Sequence, residues 1–263
     1  MVKLSACIEM IFNNLPFCER MTAAKAAGLN AVEFWGWTGK DLPAIKETAE
    51  KNGLAIAAFC VSGAGSAHAD EFNAKRLLDR TGIDAFKKVT EESIEKAKFL
   101  DCQTLIVTVG QERNDITRFE QHTNIVLALR AVAPLLRDSG VTMVVEPLNT
   151  LVNHRGYYLA SGYEAFSIIE EVGCPNVKLL YDVYHQQISD GNVIDNITKH
   201  IDLIGHFHIA DVPGRHEPGT GELNYRNIFK AIDAAGYKRY VGMEYHPSID
   251  HAETVRSTLA LTK

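Results

Sequence analysis

No stretch of this 263-residue chain approaches the ~20 consecutive apolar residues of a membrane-spanning helix, and the opening MVKLSACIEM carries no cleavable apolar leader before it enters a strand pattern. Cysteine is sparse: Cys7, Cys18, Cys60, Cys102 and Cys174 make an odd five, widely spread and without a CxxC pair. That argues against a disulfide framework, and Cys7 and Cys60 lie inside apolar runs where a reduced thiol packs as a small hydrophobe. A disulfide-free cytoplasmic protein is expected. Positive charge is also short, with 27 Lys and Arg against 33 Asp and Glu and a net charge of −6. A phosphate-backbone binder relies on clustered Lys and Arg, so nucleic acid is not an expected partner. No linker, low-complexity segment or charge block divides the chain, and a single domain over residues 1–263 follows.

What is present is alternation. Strand patterns at Lys3–Met10, Asn30–Trp35, Leu54–Val61, Thr104–Val109, Val141–Pro147, Val177–Val183, Leu203–Ile209 and Tyr240–Tyr245 are separated by helical patterns. The helices fall at Pro16–Ala27, Asp41–Asn52, Gly82–Leu100, Asp115–Ser139, Gly162–Val172, Val193–His200, Tyr225–Ala235 and Ala252–Leu261. Gly28, Gly53 and Gly140 stand just after helix ends, where a left-handed residue closes the last turn. Leu54–Val61 is almost wholly apolar, as a parallel strand covered on both faces should be. Eight such units at roughly the 30-residue spacing of a βα repeat predict an α/β fold, the (β/α)8 TIM barrel. A doubly wound sheet is the alternative. Residues 62–76, SGAGSAHADEFNAKR, are rich in small residues and read as a long loop of the kind that forms lids.

The last four strands each deliver a metal-type side chain at the end from which the next loop departs: Glu146, Asp182, His208 and Glu244. Active sites of such barrels lie at that end, so the four can face one cavity. Three carboxylates and an imidazole suit Mn²⁺ or Mg²⁺, with Co²⁺ also compatible, better than a zinc site built on His and Cys. A divalent ion chelating the adjacent carbonyl and hydroxyl oxygens of a sugar acidifies the C–H between them. Glu146 and Glu244 then become the candidate base and acid.

His185, three residues after Asp182, reads as a loop residue that hydrogen-bonds substrate, with a solvent-facing histidine as the plain alternative. His206 shares a strand face with His208 but lies deeper, and a barrel-filling role suits it equally. Arg215 sits in DVPGRHEPGTGEL, where it either meets a substrate oxygen or pairs with Glu217 or Glu222. Trp35 is a candidate apolar wall of the substrate site, and core packing explains it almost as well. His246 could line the mouth or lie on the surface. No role is assigned to His68, His122, His154, His200, His216 or His251.

These residues carry a resemblance. EPLN, DVYH, HFHIADVPGRHEPGTGELNY and GMEYHP, together with FNNLPFCERMTAAKAAGLNAVEFW, resemble hydroxypyruvate isomerase-type proteins of the xylose isomerase-like barrel superfamily, which includes the ketose 3-epimerases. The resemblance spans most of the chain. It implies Glu146, Asp182, His208 and Glu244 as metal ligands, Glu146 and Glu244 as the proton-transferring pair, and His185 and Arg215 on substrate. The isomerases typically carry glutamine where His208 stands, whereas the epimerases carry histidine. The stretch TLVNHRGYYL after EPLN and the WGWTGK loop also depart from the isomerase form.

The function expected is a divalent-metal-dependent isomerase of a small keto-sugar or keto-acid acting through a cis-enediolate. The alternatives are a ketose 3-epimerase, a 2-oxo-tetronate isomerase and, remotely, a metallo-phosphodiesterase; a non-catalytic sugar-binding barrel is the option outside enzymes. The expected partners are a small keto-sugar or keto-acid and further copies of the chain, as a dimer or tetramer, with no membrane.

Overall fold

Eight short strands pair in chain order, all parallel, and β8 closes on β1. The computed structural model describes residues 1–63 and 65–263. The strands are β1 Lys3–Cys7, β2 Ala31–Phe34, β3 Ala55–Cys60, β4 Thr104–Val107, β5 Thr142–Val145, β6 Val177–Asp182, β7 Ile204–Ile209 and β8 Tyr240–Met243. The expected α/β barrel is the fold, and the doubly wound alternative falls with the β1–β8 pairing.

The helices are α1 Phe17–Ala26, α2 Leu42–Asn52, α3 Ala67–Lys75, α4 Ile83–Phe99, α5 Arg118–Ser139, α6 Gly162–Val172, α7 Val183–Ser189, α8 Val193–His200, α9 Tyr225–Ala234 and α10 His251–Ala260. Their limits follow local chemistry. Asp41 caps α2 through the Ala44 N–H, and Gly53 ends it in the left-handed region at φ 59°. Thr117 and Glu120 form a reciprocal capping box that starts α5 three residues later than the apolar pattern suggests.

Two elements differ from expectation. Within 62–76, Ser66 accepts from the Ala69 N–H and starts α3, which seats Phe72 in the core at 5.5 Å from the Phe86 ring. This stretch is therefore largely a docked helix rather than a loop; of the lid expected there, Ala64 lies outside the described residues. Small residues hid the helix because its apolar face is one phenylalanine and a few alanines. The second difference is α7, which begins directly at the end of β6.

Successive strand residues face opposite ways, and the inward rows fill the barrel. One side is apolar: Ala58, Ile106, Val144 and Leu180 form their own buried cluster, distinct from the main core between strands and helices. The other side is polar, with Ser5, Glu33 and His206 buried. That asymmetry positions the site. Continuing each inward row by two residues towards the mouth carries Val144 to Glu146, Leu180 to Asp182 and His206 to His208. No helix among the described residues is long and apolar enough to cross a membrane.

Candidate metal centre and substrate site

Glu146, Asp182, His208 and Glu244 meet at the mouth, each offering an atom within 4.8 Å of the others, and all four are buried. Glu146 and Glu244 are the first residues beyond β5 and β8 and still hydrogen-bond their neighbours, through Glu146 N–H to the Val107 carbonyl and Glu244 N–H to the Ile209 carbonyl. Asp182 and His208 face each other in register across β6 and β7.

Asp182 divides its oxygens. Oδ1 accepts from the Tyr184 N–H at 2.8 Å and the His185 N–H at 3.2 Å, capping α7. Oδ2 turns to the cavity, 3.5 Å from His185 Nε2 and 3.5 Å from Arg215 Nη2.

His208 Nδ1 lies 3.4 Å from Glu146 Oε1 and 3.3 Å from Glu244 Oε2, yet it is aligned for a hydrogen bond with neither. A buried nitrogen without a hydrogen-bond partner thus converges with oxygens of three carboxylates on one point. A divalent cation resolves such an arrangement, and the donor set fits one. Burial raises the Asp182 carboxyl, as expected where like charges gather out of water. Burial also pushes Glu244 up, but His208 and Arg215 together hold it below the ordinary carboxylate range. Burial alone would lower His208; Glu244 and Glu33 overcome it and raise the imidazole well above its usual value.

Glu33, on β2, escaped the sequence reading. It is buried, accepts from Ser5 Oγ at 2.7 Å, and lies 3.0 Å from His206 Nε2 and 2.8 Å from His208 Nε2, the last contact off the line of a hydrogen bond. Burial opposes its ionisation, but the two histidines bring its pKa down to about 2. A carboxylate against Nε2 leaves Nδ1 as the nitrogen presented to the cluster, the outer support that orients metal-binding histidines. Gly242 makes room for it: a Cβ there would stand 2.2 Å from Glu33 Oε1. The signal was available, since Glu33 is the one charge inside AVEF, at an inward position. His206 takes the deeper, hydrogen-bonded place that was one of its two expected roles.

His185 is fully buried in the first turn of α7, not in a loop. The Asn149 backbone N–H reaches its Nδ1 at 3.1 Å, so the proton belongs on Nε2, which has no partner and faces the cavity. Burial lowers its pKa to about 3 and keeps it a neutral donor.

Arg215 stacks over Tyr184 at 5.2 Å and donates to Glu244 Oε2 at 2.6 Å; neither Glu217 nor Glu222 pairs with it. Glu217 instead accepts from the Ser248 N–H at 3.0 Å. The buried Asp211, also missed in the sequence, staples this loop: Oδ1 accepts from the Val212 and Leu223 N–H groups and Oδ2 from the Gly219 N–H at 2.7 Å. Trp35 is half exposed, and its Nε1 donates to Glu244 Oε1 at 2.9 Å, so it grips a carboxylate of the cluster. Trp37 is buried core, bonded to Ser93.

His246 is exposed. His68 pairs with Glu92, His122 with Glu171, and His200 stacks on Phe166. His251 Nδ1 accepts from the Phe12 N–H. His154, given no role from sequence, packs on His185 with ring centroids 5.2 Å apart.

Known proteins share this frame. Residues 21–263 match the model of the xylose isomerase-like TIM barrel family. The chain belongs to that family. It is 32% identical to the hydroxypyruvate isomerase of Escherichia coli K12, over 94% of each chain. It is equally 32% identical to a 2-oxo-tetronate isomerase of Pectobacterium atrosepticum, over 94% of this chain and 93% of that one. A crystal structure from Brucella melitensis described as an AP endonuclease of family 2 superposes with a TM-score of 0.90 at 30% identity, covering 99% of both chains. The curated relatives are isomerases, and this family member is an enzyme of that class.

Proposed function

We propose that the protein is a divalent-metal-dependent isomerase of a small keto-acid or keto-sugar of the hydroxypyruvate type, working through a cis-enediolate with Glu146 and Glu244 as the proton-transfer pair. One observation carries the reading. The four-residue cluster is flanked by two donors that a metal site alone does not need, His185 and Arg215, and both aim into the same cavity. Mn²⁺ or Mg²⁺, with Co²⁺ compatible, would be held by Glu146, Asp182, His208 and Glu244 and would supply Lewis-acid polarisation of a substrate carbonyl.

The chain's own residues do the rest. His185 Nε2–H donates to a substrate oxygen and, being neutral, keeps its proton. Arg215 places positive charge where negative charge develops on the enediolate. Glu146 accepts no hydrogen bond to its carboxylate among the described residues, so an oxygen is available to take the carbon-bound proton. Glu244, held as a carboxylate by Trp35 and Arg215, takes the proton of the substrate hydroxyl and returns it at the neighbouring carbon, while Glu146 passes the proton it took to the former carbonyl oxygen. The buried cluster excludes bulk water from both transfers. Free cysteines at all five positions accord with a cytoplasmic protein, and a homo-oligomer is part of the same proposal.

His208 favours a second reading, a ketose 3-epimerase, in which the proton returns to the same carbon on its other face. The test is a screen of the Mn²⁺-loaded protein against hydroxypyruvate, tetruloses, ribuloses and hexuloses in deuterated water, with abasic-site DNA as a further arm. Deuterium at the carbon next to the carbonyl, with a shifted carbonyl, identifies isomerisation; deuterium with inverted configuration identifies epimerisation. Turnover that survives in both Glu146→Gln and Glu244→Gln would sink the two-carboxylate mechanism.

A further inference from the structure

A cleft of about 770 Å³ is lined by Arg76, Thr108, Gly110, Leu148, His154 and Tyr157 among others. It is joined to the cluster through two residues. Tyr157 donates its hydroxyl to the Glu146 carbonyl at 2.8 Å, and His154 packs on His185.

Most charges on the cleft wall are already neutralised. Arg113 pairs with Asp79 and Asp115, each at 2.6 Å, Lys75 with Glu71 at 2.6 Å, and Glu112 with Arg118 at 3.0 Å. Arg76 differs. Among the described residues no carboxylate lies within 4.0 Å of its guanidinium, which rests over the Phe72 ring at 5.1 Å.

Its placement is forced as well. Arg76 ends α3 at φ 48° and ψ −143°, a backbone region that side-chain-bearing residues rarely enter. It packs so closely on Gly110 that a Cβ there would stand 2.7 Å from Arg76 Cβ and 2.9 Å from Cγ. A strained backbone, a glycine cradle and an aromatic shelf thus hold one uncompensated cation in a cleft whose Tyr157 and His154 touch Glu146 and His185.

We infer that Arg76 anchors the carboxylate of the substrate, so that the site selects small oxo- and hydroxy-acids over neutral ketoses of the same length. The inference rests on the isomerase reading for what the other end of the ligand does, and on the cleft alone for the carboxylate. A planar guanidinium meets a carboxylate through two parallel hydrogen bonds, and a single free positive charge matches a monoanion better than a phosphate dianion.

The test uses the full-length Mn²⁺-loaded protein and calorimetric binding of two four-carbon probes, D-erythronate, an acid, and erythrulose, a neutral ketose. Arg76→Met keeps the apolar stem over Phe72 and removes the charge. It should weaken erythronate roughly ten- to a hundredfold, the worth of charge-assisted hydrogen bonds, and leave erythrulose within about twofold. Arg76→Lys, which keeps charge without the fork, should fall between, and carries the test should the methionine variant melt early. Equal weakening of both probes, no weakening of erythronate, or no erythronate binding by the unsubstituted protein would each overturn the inference. Displacement of erythronate by equimolar inorganic phosphate would overturn the choice of a carboxylate. Turnover is read separately: failure to convert any keto-acid or ketose removes the isomerase reading and leaves the erythronate result standing or falling on its own.

Discussion

Glu33 shows what a single buried carboxylate can do at the floor of a candidate metal site. It touches Ser5, His206 and His208, and Gly242 leaves the space it needs. Replacing such a support costs 10- to 100-fold in metal affinity. Glu33→Gln should therefore weaken Mn²⁺ by about that factor in a competition titration with a chelator. Gly242→Ala should do the same by displacing the carboxylate, although neither residue offers an atom to the four-residue cluster. Asp182 permits a sharper separation. Asp182→Asn keeps an oxygen for the Tyr184 and His185 N–H groups and loses the negative charge, whereas Asp182→Ala loses both. Both variants should lose metal binding, but only the alanine should lose the helix cap, about 1 kcal/mol of stability measured on metal-free protein by urea unfolding.

At the scale of the element, α7 explains the state of His185. The helix starts on Asp182 and turns His185 under the mouth, where burial brings its pKa to about 3. The unfolded chain holds the proton below an ordinary value near 6.5, so between these values the unfolded state binds more protons than the native state. Stability contributed by a neutral His185 is thus complete above about pH 6.5 and falls as pH drops towards 3. The urea midpoint of metal-free protein should fall from pH 7 to pH 5, and His185→Gln should show a smaller fall. An unchanged fall in the variant would assign the loss to other groups. The β7–α9 connection is organised in a comparable way, with Asp211 collecting three backbone N–H groups so that Arg215 reaches Glu244.

For the whole molecule, the four candidate ligands stand at the ends of four different strands, so a bound cation would tie β5, β6, β7 and β8 together at one end. A ligand that binds only the native state stabilises by about 2.7 kcal/mol at a hundred times its dissociation constant. In a domain of this size each kcal/mol shifts the melting temperature by about 2–4 °C. Saturating Mn²⁺ should raise the melting temperature by several degrees, a chelator should reverse it without unfolding the barrel, and Glu146→Gln with Glu244→Gln in one chain should abolish it. The barrel should remain folded without a cation, because its core is apolar and continuous around the strands.

Strand number, order and the four strand-end residues were legible in the sequence, because parallel strands covered on both faces leave apolar runs and a polar residue at their ends stands out against them. Gly53 and Gly140 were legible for an equally local reason, the left-handed turn that closes a helix. The helix in 67–75 was not, since alanines and one phenylalanine supply too little contrast between its faces. Nor were Glu33, Asn149, Asp211 and the unpaired Arg76, whose roles depend on partners 36 residues away from Asn149 and 173 away from Glu33. A sequence records which side chains can ionise or donate. Closing β8 on β1 decided which of them share a volume without water, and in such a volume each charge must find a neighbour, a cation or a substrate.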